Sequence, residues 1–87
     1  MMKTIYHIFS EKLGEWDAMF DEDDKLLGYW HCNDAHWRNE YFSGFMAELG
    51  IEVLSAYRED VERYQRLENI FRLVLIEDGN YNEEDDA

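Results

Sequence analysis

Residues 15 to 21 read Glu-Trp-Asp-Ala-Met-Phe-Asp, an alternation that leaves the segment few choices. Side chains on a strand repeat every second residue, so Trp16, Ala18 and Phe20 take one face and Glu15, Asp17, Met19 and Asp21 the other. A helix from Ser10 with Leu13, Trp16, Met19 and Phe20 on one stripe competes, but Gly14 inside it costs about 1 kcal/mol relative to alanine. The strand is the better reading. The polar run Glu22, Asp23, Asp24, Lys25 then makes a turn, and Leu-Leu-Gly-Tyr-Trp-His-Cys at 26–32 returns as the second strand of a hairpin.

The rest of the chain sorts by the same test. Residues 4–9, Thr-Ile-Tyr-His-Ile-Phe, are β-branched and aromatic and predict a strand. Asn33 or Asp34 caps a predicted helix whose apolar positions Trp37, Tyr41, Phe42, Phe45, Met46 and Leu49 fall three and four apart. Gly50 stands where a left-handed residue would end that helix, with Ile51 as the hydrophobic contact beyond it. Residues 51–57 read as a strand and 58–70 as a second helix, with Val61, Tyr64 and Leu67 inward and Glu62/Arg66 and Glu59/Arg63 as outward pairs. The run Phe-Arg-Leu-Val-Leu-Ile-Glu at 71–77 is rich in β-branched residues, stops at Gly79, and is expected to form a last strand. The expected fold is a small single α+β domain over residues 1–78. It comprises an antiparallel sheet of four or five strands with two helices packed on one face, and residues 79–87 follow as an acidic C-terminal tail.

A chain of 87 residues builds one small core. With 46% apolar residues and fourteen aromatics, it is too hydrophobic to stay disordered. Cys32 is the sole cysteine, which excludes an internal disulfide and fits a reducing compartment. No 18-residue apolar run occurs, and the first sixteen residues lack a signal-peptide core, so the expectation is a cytoplasmic protein.

The formal charge of −13 is the compositional outlier. A chain so acidic repels nucleic acid and anionic membranes and speeds encounter with basic partners. Two segments carry nearly all of the excess. Residues 10–24 hold Glu11, Glu15, Asp17, Asp21, Glu22, Asp23 and Asp24 against Lys12, and residues 77–87 hold Glu77, Asp78, Glu83, Glu84, Asp85 and Asp86 with no base. Residues 58–72 are neutral, with Arg58, Arg63, Arg66 and Arg72 balancing Glu59, Asp60, Glu62 and Glu68.

Three chemistries are weighed at the hairpin and set aside. A calcium loop beginning at Asp21 would need an oxygen ligand at its fifth position, glycine at its sixth and glutamate at its twelfth, where Lys25, Leu26 and Cys32 stand. His31, Cys32 and His36 are too few for a structural zinc site, and neighbours on a strand point to opposite faces. A Cys32–His36 or Cys32–His7 nucleophile pair would sit among acids, which disfavour the thiolate. No catalytic residue, metal or cofactor is assigned.

The acids suit a different task. Alternate strand residues are spaced by about 6.6 Å, so Glu15, Asp17, Asp21 and Asp23 are expected to form an outward carboxylate row. Such a row would stand in for phosphates before a protein that grips nucleic acid with lysine and arginine. In size and charge, though through no shared motif, the chain resembles two groups of small acidic inhibitors. One comprises DNA mimics that block restriction or CRISPR machinery, and the other comprises immunity proteins that neutralise a toxic nuclease. The resemblance implies a basic protein partner, with no direct binding of nucleic acid or membrane. The residues expected to meet that partner are Glu15, Asp17, Asp21, Glu22, Asp23, Asp24, Glu83, Glu84, Asp85 and Asp86. The competing expectation is a non-inhibitory acidic interaction module, or a small metal-binding protein.

Overall fold

A computed structural model of the chain describes residues 3–31 and 47–82. Four strands form one sheet: β1 (Lys3–Ser10), β2 (Trp16–Phe20), β3 (Leu26–His31) and β4 (Ile51–Ser55), in the order β3-β2-β1-β4. Two helices follow β4, a single turn α1 (Ala56–Glu59) and the long α2 (Val61–Glu77). The α+β class holds. Among the described residues no helix is long and apolar enough to cross a membrane.

The first three strands form an antiparallel meander, as the alternation and the turn residues predict. The sheet as a whole is mixed, because β4 pairs in parallel with β1, matching Lys3 to Ile51 and His7 to Ser55. Strands β3 and β4 therefore point the same way. A parallel return needs a connection of about a dozen residues or more, and residues 32–50 supply the length. A bulge between Met19 and Phe20 matches them to Gly28 and Leu26, so Leu27 is the extra residue and projects outward.

Phe20, Ala18 and Ile8 from the sheet meet Leu67, Phe71 and Leu75 of α2, with Leu13 and Ala56 completing the fully buried cluster. Residues 67, 71 and 75 lie four apart, so they form one stripe along α2. This stripe overturns the expected strand at 71–77: Phe71 and Leu75 continue the spacing that begins at Leu67, and burying that line outweighs the weak strand preference of Val74 and Ile76. Gly79, at φ 77°, ends the helix as expected, with Asn80 N–H donating to the Leu75 carbonyl and Gly79 N–H to that of Ile76. Asp60 caps the other end, its carboxylate accepting from Arg63 N–H at 3.0 Å. Val61, expected inward, is 53% exposed because the buried stripe begins later. The expected strand at 51–57 ends at Ser55, where α1 begins.

The helix predicted from Asn33 or Asp34, with Trp37 to Met46 on its stripe, lies outside the described residues except for its end. There Gly50 has φ 75° and donates to the Ala47 carbonyl, the geometry expected of a helix stop.

Candidate functional site

The β2–β3 turn is built by its own aspartates. Asp21 accepts from Asp23 N–H and Lys25 N–H at 2.9 Å each, while its own N–H donates to the Lys25 carbonyl. Asp24, at φ 64°, occupies the left-handed region that aspartate tolerates better than most residues. Its side chain reaches α2, with Oδ1 2.8 Å from Arg63 Nη1 and Oδ2 2.5 Å from Arg66 Nε. The hydrogen bond from Arg66 leads the effects that hold the Asp24 carboxyl below the usual carboxylate range. Arg63 also donates to the Glu22 carbonyl and lies 4.3 Å above the Tyr6 ring centre. These contacts clamp the hairpin tip to the helix. They also replace the expected outward pairs of α2, since Arg63 and Arg66 turn to Asp24 rather than to Glu59 and Glu62.

The expected carboxylate row does not form. Glu15 lies in the turn before β2 at φ 64°, out of register with the strand. Asp17 is 3% exposed and pairs with His7, Oδ1 to Nε2 at 2.6 Å, while the His7 ring stacks near Trp30. It faces away from α2 as its parity requires, but that face is covered too: Ile5 and Met19 are also buried there. Alternation reveals which side chains share a face and says nothing of whether that face meets water. Asp21 and Asp24 are committed to the turn and the clamp, which leaves Glu22 and Asp23 as the exposed acids of the tip. Glu22 accepts from Thr4 N–H at 3.0 Å and so ties the tip to the start of β1. Glu83, Glu84, Asp85 and Asp86 lie outside the described residues.

Beside Glu22 and Asp23 lies a groove of about 530 Å³ whose apolar side comes from Ile5, Leu27 and Ile51. The bulge matters here, because it turns Leu27 outward to 52% exposure. Acids next to open aliphatic surface form a patch with both polarity and grip.

A second cavity, about 650 Å³, opens at the far end of β1 and is lined by His7, Phe9, Ser55, Tyr57, Tyr64 and Glu68, among others. Tyr64 donates toward the Phe9 carbonyl and Glu68 Oε2, each at 3.1 Å, and Ser10 Oγ donates to the same carboxylate oxygen at 2.8 Å. Burial, followed by the charge of Glu68, pushes the Tyr64 hydroxyl up to about 12. Sequence reasoning missed this cavity. Tyr64 and Glu68 are visible as a helical pair four apart, but nothing local connects them with Ser10 or Phe9 more than fifty residues earlier.

The aromatics near the hairpin serve packing. Trp16 and Phe71 both meet Tyr29 edge-on, at 5.5 and 5.4 Å, and His31 lies edge-on to Trp16 at 5.1 Å. The Tyr29 hydroxyl donates to Asp78 and accepts from Asn80, and Tyr81 packs on the core, so the chain stays attached to the sheet beyond α2. Cys32 and His36 lie outside the described residues. Comparison with known protein families, characterised proteins and solved structures finds no match for this chain.

Proposed function

We propose that this protein is a small acidic inhibitor that binds a basic, nucleic-acid-binding protein and acts by occupying its surface, without catalysis. The observation that carries the reading is the hairpin tip. A chain of net charge −13 presents Glu22 and Asp23 at a tip clamped by Arg63 and Arg66 and set beside the exposed Leu27 and the half-buried Ile51. Pre-organisation of this kind reduces the ordering cost of association, and the excess charge steers encounter with a basic surface. Burial of Asp17, the place of Glu15 in the turn before β2 and the engagement of Asp21 in its own turn remove three of the four members of the expected carboxylate row. This favours a compact patch, as in an immunity protein facing a nuclease, over a long phosphate-spaced mimic.

The test is capture from lysate at low salt on the immobilised protein, with duplex DNA as competitor. The expected outcome is retention of nucleic-acid-binding proteins that DNA displaces and that elute as salt approaches physiological strength. Glu22→Lys with Asp23→Lys should reduce that retention at least tenfold. Retention that resists both DNA and charge reversal would sink the proposal.

A further inference from the structure

The second cavity has a chemistry of its own. His7 is the last residue of β1 matched on β4, by Ser55, so β1 runs on past the end of its neighbour and Phe9 stands at an uncovered edge. Helix α1 brings Tyr57 to this gap, and α2 brings Tyr64 and Glu68. Phe9 is 42% and Tyr57 66% exposed, which leaves their rings open to a ligand. Tyr57 and Tyr64 meet edge-to-face at 5.2 Å and 79°, so their planes form two walls near a right angle. Glu68 is held in place by Ser10 and Tyr64, both through Oε2. Both donors are uncharged hydroxyls, and no ion pair reaches Glu68 among the described residues.

Each class of ligand fares differently in such a site. An anion would meet Glu68 and Glu11, with Lys12 as the one lysine or arginine among the described lining residues to offset them. An uncharged apolar group would cover the carboxylate without satisfying it, at a cost of about 1–3 kcal/mol. A guanidinium satisfies both features, since its flat face stacks on aromatic rings and its edge presents N–H donors to a carboxylate. We infer that the cavity is an anchor pocket for an arginine side chain of a basic protein partner, with Phe9, Tyr57 and Tyr64 around the guanidinium and Glu68 accepting its N–H groups. The inference takes the partner's basic character from the function proposed above. It uses a site at the opposite end of β1 from the hairpin tip, so the two are tested separately.

The experiment titrates the isotope-labelled full chain with N-acetylarginine amide and, in parallel, with the uncharged isostere N-acetylcitrulline amide, following backbone amide signals. Arginine amide is expected to shift the signals of Phe9, Tyr57, Tyr64 and Glu68, and citrulline amide to bind at least tenfold more weakly. Tyr57 is largely exposed, so Tyr57→Ala preserves the fold; it should weaken arginine binding roughly two- to tenfold. Glu68→Gln keeps an acceptor for Ser10 and Tyr64 and should weaken binding by at least as much. Glu22→Lys with Asp23→Lys should leave arginine binding at the cavity unchanged while losing the captured partner. Equal response to citrulline, shifts away from the cavity, or no shift with about 50 mM arginine amide would overturn the pocket; the tip would still stand or fall on DNA-competed capture.

Discussion

Asp17 shows how a single carboxylate can be assigned to the wrong task. Its place on the face opposite Trp16, Ala18 and Phe20 is as the alternation predicts, yet its side chain is buried against His7 rather than offered to a partner. A buried acceptor holding a hydrogen bond cannot be removed cheaply. Asp17→Ala is expected to lower unfolding stability by about 1–3 kcal/mol, measured by urea denaturation, because it strips His7 of its partner and opens a void. Reversal to lysine should be worse still, since an ammonium would replace a carboxylate in a covered site. A surface-like effect within about 0.5 kcal/mol would show that the pair contributes little. By contrast, Glu22 and Asp23 are exposed at the tip; reversal of Asp23 is expected to leave the fold stable, and reversal of Glu22 to cost the hydrogen bond from Thr4 N–H, about 0.5–1.5 kcal/mol.

The hairpin and α2 are joined by an electrostatic contact that neither element declares alone. The Asp24 carboxyl is lowered in the folded chain, chiefly by the Arg66 hydrogen bond. A lowered folded value means that the clamp contributes fully above the ordinary carboxylate range and is lost as pH falls through the folded value. The Arg66 Nε–H signal is therefore expected to leave its bonded position below about pH 4, and Asp24→Asn should abolish that transition. An Arg66 Nε–H signal that Asp24→Asn leaves in place at neutral pH would remove the clamp from the account. The three N-terminal strands were legible because alternation and turn residues agree there. The end of α2 was not: residues 71–77 contain both a strand-like composition and a helical stripe, and the second is decisive only because Phe71 and Leu75 find Phe20 and Ile8 to pack against.

For the molecule as a whole, the excess of negative charge opposes compaction. Raising salt screens that repulsion and also weakens the Asp24 clamp, but one clamp is small beside a formal charge of −13. The melting temperature is expected to rise from low salt to near-molar sodium chloride, and each 1 kcal/mol gained moves it by roughly 4–8 °C for a domain of this size. A flat or falling melting temperature would mean that the folded chain already compensates its acids. Local pattern alone determined the α+β class, the hairpin, the helix stops at Gly50 and Gly79 and the acidic character of the surface, because period, turn chemistry and charge are properties of neighbours in the chain. Tertiary structure decided the parallel pairing of β4, the helical fate of residues 71–77, the burial of Asp17 and the joining of Phe9, Tyr64 and Glu68 around one cavity. Each of these depends on residues far apart in sequence, and covering both faces of β2 is what separates an alternating strand from a half-exposed one.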